Sequence, residues 1–180
     1  MKVFLLICTL VINHVLAENS IAVNYAKVNR GNNQNPVSTA SDIGRLDEKA
    51  SPETIDSLMQ KLYDPDPFVR VEAIQALGEI RHNKSLVSVC GCLKDENLYV
   101  RAYAAEALGK IGHLDSTFAL EQLFSALDDP SPYVRAMVIL ALGDLQDKRS
   151  TNSIRKLLND DDENVRRMAA WALHKIENSQ

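Results

Sequence analysis

Apolar residues fall into one short pattern four times along this chain. Val69, Ala73, Ala76-Leu77 and Ile80 recur as Val100, Ala104, Ala107-Leu108 and Ile111. They recur again as Val134, Val138, Ala141-Leu142 and Leu145, and finally as Val165, Ala169, Ala172-Leu173 and Ile176. Steps of three and four put each set on one face of a helix. An arginine follows each valine, and Arg70, Arg101, Arg135 and Arg166 lie 31, 34 and 31 residues apart. Self-similarity at that period predicts stacked repeats, in which no unit buries its apolar face alone.

Between these helices lie second apolar sets: Leu86, Val89 and Leu93; Leu120, Leu123 and Leu127; Ile154, Leu157 and Leu158. Ser51-Pro52 opens the array as N-cap and first helical position, and Ile55, Leu58, Met59 and Leu62 carry a helix to about Tyr63. That helix aligns with the second helices, so the array opens on a half-repeat. No stretch alternates with the period of a strand. The expectation is all-α: a short right-handed α-solenoid of about three and a half helix pairs, seven helices in all, over residues 51–177, with a tail at 178–180.

Two polar features recur with the apolar ones. An aspartate stands six residues before each arginine: Asp64 and Arg70, Asp95 and Arg101, Asp129 and Arg135, Asp160 and Arg166. A carboxylate there is expected to cap the next helix and accept the arginine's forked donors, giving a ladder that fixes register. Gly78, Gly109 and Gly143 sit inside helices, where glycine costs about 1 kcal/mol against alanine. A cost repeated at one register predicts close approach of a neighbouring helix. The last copy has His174 instead, as befits a capping repeat.

The amino terminus has a different character. Met1-Lys2, an apolar run from Val3 to Ile12, and small residues at Val15 and Ala17 before Glu18 read as a signal peptide over 1–17. The run is shorter than the roughly 20 residues of a membrane span, so no stable span is expected after cleavage. The chain is expected to be exported, to a periplasm or outside the cell, with an uncleaved anchor as the alternative. Residues 18–50 crowd Asn24, Asn29, Asn32, Asn33 and Asn35 among few large apolar residues, and read as a flexible linker. The net charge is −4, and no basic block is present, which weighs against nucleic acid as a partner.

The run of Asp and Pro, Val-Arg, Ala and Ala-Leu-Gly resembles HEAT repeats, in particular the short HEAT-like repeats of the phycobilisome lyase family. The resemblance covers Pro52 to Glu177. It implies the solenoid fold and leaves activity open between scaffolds and lyase-like or other enzyme accessory subunits. Deoxyhypusine hydroxylase, an enzyme with this repeat, holds iron through His-Glu pairs. The corresponding positions here are Val71-Glu72, Ala102-Tyr103, Ala136-Met137 and Arg167-Met168.

Little else points to chemistry, and no catalytic, cofactor or metal residue is assigned. Cys90-Gly91-Cys92 offers a redox dithiol, against a reading in which small side chains fill space between helices. His82 and His113 read as loop residues, and Asp160-Asp161-Asp162-Glu163 as an acidic helix start. One ridge of the first helices starts polar, at Glu72, Gln75 and Glu79. It passes through Tyr103 and becomes apolar at Met137, Leu140, Met168 and Trp171. An exposed cluster of that kind marks a binding surface, here for a protein partner of unknown identity or a second copy of the chain. The functional expectation is a non-enzymatic protein-protein interaction scaffold.

Overall fold

The computed structural model describes residues 50–114 and 116–179. The expected leader and all of the expected linker except Ala50 lie outside them. The described residues contain helix and no strand, as the periodicity requires. They hold eight α-helices: α1 (Pro52–Lys61), α2 (Pro67–Ile80), α3 (Leu86–Gly91), α4 (Leu98–Ile111), α5 (Ser116–Ser125), α6 (Pro132–Leu145), α7 (Thr151–Lys156) and α8 (Glu163–Glu177). Short 3-10 turns follow α3 and α7, at Cys92–Lys94 and Leu157–Asn159.

The count is eight rather than the seven expected, because the opening helix, the four first helices and the three second helices all form, and the frame of the repeat also shifts. Helix α1 packs on α2, α3 and its 3-10 turn on α4, α5 on α6, and α7 and its turn on α8. The opening helix is therefore no orphan half. The unit is a short helix followed by a long one, and the array holds four complete pairs. The long helices make the spine, α2 against α4, α4 against α6 and α6 against α8.

Sequence fixes where the helices begin. Ser51 accepts from the Thr54 N–H (3.3 Å) ahead of Pro52, and Asp66 accepts from the Phe68 N–H (2.9 Å) ahead of Pro67. Asn97 caps α4 through the Tyr99 N–H and Asp162 caps α8 through the Asn164 N–H. The aspartates six residues before the arginines are thus not the caps. Each instead folds its turn by accepting the N–H two residues on, at 2.9 Å for Asp64, 2.8 Å for Asp95, 2.8 Å for Asp129 and 2.9 Å for Asp160. An aspartate bonding its own backbone two residues on is an Asx-turn.

The core is the repeated stripe. Leu77, Leu108 and Leu142 are fully buried, as are Val100, Val134 and Val165, with Val89, Leu123 and Ile154 facing them from the short helices. Burying each such side chain contributes about 1.5–3 kcal/mol. The glycine register does what the pattern implied. A Cβ built on Gly78, Gly109 or Gly143 would lie 3.0, 3.2 or 3.1 Å from the Cβ of Ala107, Ala141 or Ala172. Glycine against alanine is what lets successive long helices come this close.

Candidate interaction surface

The arginines and aspartates of the repeat do form one ladder, but the pairing runs between repeats. Arg101 closes on Asp129 with both arms, Nε to Oδ2 at 2.7 Å and Nη2 to Oδ1 at 3.0 Å. Arg135 does the same to Asp160, at 2.9 and 2.7 Å. Arg70 reaches Asp95 through Nη2 alone (2.8 Å), and its buried Nε has no partner among the described residues. The aspartate six residues before each arginine offers its backbone carbonyl instead. Nη1 donates to Asp64 O (2.8 Å), Asp95 O (2.9 Å), Asp129 O (2.9 Å) and Asp160 O (2.7 Å) for Arg70, Arg101, Arg135 and Arg166 in turn.

This corrects the expected pairing within one turn. The carboxylate already receives the turn's own N–H and faces the preceding repeat, so the fork that meets it comes from there. The guanidinium groups of Arg70, Arg101 and Arg135 each tie their own turn to the next one, a longer reach than six residues of sequence suggest. The forks of Arg101 and Arg135 are filled by carboxylates, which leaves them no arm for an outside anion. The Arg135 fork holds the Asp160 carboxyl below the ordinary aspartate value, with the Asp162 N–H adding to the effect.

The apolar ridge is also placed differently. None of Tyr103, Met137, Leu140 and Trp171 is fully exposed; each is half-buried, and Met168 is buried at 7% exposure. The large apolar side chains that do face solvent are Tyr63, Val87, Leu98 and Leu158. The reason lies in the stacking. Trp171 sits where α8 meets α6, and a Cβ on Gly143 would lie 2.9 Å from its ring. Lys175 lies 4.9 Å from the ring centroid and pairs with Asp144 of α6. Lys110 pairs likewise across the α2–α4 seam with Glu79, at 2.6 Å. This flank of each long helix meets the preceding repeat, so it turns apolar once there is a preceding repeat. No repeat precedes α2 among the described residues, and Glu72, Gln75 and Glu79 there stay exposed.

The outer edge of the seam remains half-open, and it carries aromatic residues that the sequence reading did not single out. Tyr99 and Tyr133 meet edge to face with centroids 6.1 Å apart. Tyr103 lies one turn beyond Tyr99, and burial raises the phenol pKa values of both Tyr103 and Tyr133. Tyr99 and Tyr133 occupy one register, each directly before the repeat valine, which was the available signal. Together with Met137 and Leu140 they form a strip across α4 and α6.

The other candidates resolve into structure. Cys90 and Cys92 are free and buried. Burial pushes the Cys90 thiol up to about 12 and the Cys92 thiol up to about 11. Cys92 Sγ donates to Ser88 O at 3.6 Å. Because the thiolate is the reactive form, a disulfide-exchange reagent at pH 8 is expected to titrate neither in the native protein and both after unfolding. Rapid native reaction of either would contradict the burial. His82 Nδ1 accepts from the Lys84 N–H (3.1 Å), so that imidazole is a turn cap. A groove of about 370 Å³ lies between the third and fourth turns. Its walls include Asp128, Pro130, Asn159 and Asp161 beside the Arg135–Asp160 pair.

The sequence profile of HEAT repeats matches residues 40–109, 55–125 and 120–180. No curated protein sequence is detectably similar to the chain. Solved structures similar to it in fold include the complex of CpcE and CpcF of phycocyanin lyase from Nostoc sp., at TM-score 0.61 and 21% identity, over 82% of this chain and 68% of that one. Human deoxyhypusine hydroxylase aligns at TM-score 0.62 and 23% identity, over 72% of this chain and 46% of its own. An engineered protein aligns at TM-score 0.53 and 21% identity, over 69% and 63%. The chain therefore spans less than two thirds of the engineered protein and of the hydroxylase.

Proposed function

This chain belongs to the HEAT-repeat family, and from that premise we propose that it is an exported, non-enzymatic scaffold that binds another protein through the long-helix edge. The observation that carries this reading is the half-open strip of Tyr99, Tyr103, Tyr133, Met137 and Leu140 across two adjacent helices. Aromatic and methionine side chains are enriched at protein contacts, and tyrosine is among the residues that dominate their energetics. Export is supported by the leader-like pattern of residues 1–17. Within the family, the recurrent Asp, Val-Arg and Ala-Leu-Gly register favours the short phycobilisome-lyase type of repeat. An accessory role beside an enzyme fits the same surface, and the partner's identity would separate the two.

Tyr103→Glu with Leu140→Glu tests the proposal. Both residues are half-buried, and neither is among the atoms nearest a Cβ built on a repeat glycine. Used as bait from Glu18 onward, the double variant is expected to lose the proteins that co-purify with the unaltered chain by tenfold or more. Its helicity and melting midpoint should stay within a few degrees of the parent. Undiminished recovery of the same proteins by the folded variant would remove the strip as the binding surface. Trp171 and Met168 make poor probes, because truncating them loosens the α6–α8 seam itself.

A further inference from the structure

The arginine–aspartate ladder has two ends, and they are complementary. At the carboxyl end, Arg166 Nη1 donates to Asp160 O (2.7 Å) and Asp161 O (2.9 Å), so the guanidinium is seated as in every other copy. Its Nε and Nη2, the arms that close on a carboxylate in Arg101 and Arg135, meet none among the described residues. At the amino end, Asp64 folds its turn through the Asp66 N–H like the other three aspartates. No arginine reaches its carboxylate among the described residues. One end presents a fork without a carboxylate and the other a carboxylate without a fork.

The remaining charges on these two ends agree in sign with that. Exposed Glu72 lies on α2 in the first described pair, while Glu79 of the same helix is engaged by Lys110 of the following repeat. On α8 the side that would face a next repeat carries exposed Arg167, Ala170 and His174. Interior copies hold Ala102 or Ala136, then buried Ala105 or Ile139, then a glycine at those registers.

We propose that copies of this chain associate head to tail, Arg166 of one copy taking Asp64 of the next as Arg101 takes Asp129 within the chain. Such a contact is heterologous, so it builds rings or open rows rather than a closed two-fold dimer. The joint is looser than an interior seam. His174 stands where interior copies need glycine with only 3.0–3.2 Å between Cβ positions, so the incoming long helix cannot seat as deeply. Exposed charges then hold it more than packing does, and salt screens such contacts. This inference rests on the ladder and is independent of the aromatic strip.

Sedimentation velocity on the full chain tests it. A concentration series is expected to show species larger than a monomer at about 0.01 M salt that disappear at about 1 M. Arg166→Asp alone and Asp64→Arg alone should each weaken association at least tenfold, and an equimolar mixture of the two should restore it. His174→Gly should strengthen it severalfold. Should Arg166→Asp lose helicity, Arg166→Lys keeps the charge without the fork and is expected to weaken association as well. A chain that stays monomeric throughout, association indifferent to both single changes, or a mixture that fails to recover would each overturn the proposal. The Tyr103/Leu140 double variant should associate normally, so failure of one proposal is visible apart from the other.

Discussion

Asp160→Ala is expected to destabilise the array by about 3–5 kcal/mol, because it leaves the Arg135 guanidinium largely buried with its carboxylate partner gone. In the intact chain both arms of Arg135 close on Asp160, and the two side chains are 16% and 7% exposed. For a repeat array of this size that is a fall of about 10–20 °C in melting midpoint. Asp160→Asn keeps the oxygen that accepts the Asp162 N–H and should cost less. Asp64→Ala, whose carboxylate accepts only the turn's own N–H among the described residues, should cost about 1 kcal/mol. Trp171 is the single tryptophan and lies on the last helix, so its fluorescence should report loosening of the terminal pair.

The same pair sets a pH dependence. The Asp160 carboxyl is held below its ordinary value by Arg135. A depressed folded value means that the contribution is complete above the unfolded aspartate value, about 3.9, and is lost as pH falls through the folded one. The stability gap between parent and Asp160→Asn should therefore be constant near neutrality and close below about pH 4. A gap that widens on acidification, or an Asp160→Ala variant as stable as the parent, would remove the ladder as a source of register.

Gly109→Leu is the second large effect. A Cβ at this position would lie 3.0 Å from the Ala141 Cα and 3.2 Å from its Cβ, so the neighbour it meets is backbone rather than a flexible side-chain end. The rest of a leucine would have to push α6 off α4 along the spine. Overpacking costs about 1–3 kcal/mol when side chains alone must shift, and moving a helix is expected to exceed that. Gly91→Ala is the counterpart. Gly91 is helical with φ −57 and has nothing within 4 Å of its built Cβ. It should gain about 0.5–1 kcal/mol. Denaturant midpoints of the two variants moving in the same direction would mean that helix–helix clearance is not what keeps glycine at the repeat register.

Much of this arrangement was legible in order along the chain. Four copies of Val, Ala and Ala-Leu, each spaced for one face, specify helices without reference to anything distant. Gly78, Gly109 and Gly143 could be read as contact points because a helix interior tolerates glycine only at a cost. Asp64, Asp95, Asp129 and Asp160 were recognisable as one set with the arginines. Their partners were misassigned, because six residues of sequence look nearer than a repeat of about thirty, while across a stacked seam the longer route is the shorter distance. The ridge from Glu72 to Trp171 failed for a related reason. Period alone says which residues share a face, but not whether another helix lies against it.

The sequence by itself determined the helices, the apolar stripe, the repeat and the family, since each follows from local periodicity and from residues meeting their own neighbours. Only the tertiary structure decided which carboxylates Arg70, Arg101 and Arg135 hold, that Met168 is buried while Tyr99 and Tyr133 share the open edge, and that Arg166 closes on no carboxylate among the described residues. Those facts depend on the rise and turn between one helix pair and the next. That geometry is set by how closely glycine and alanine let two helices approach, and it is a property of the stack that no single copy contains.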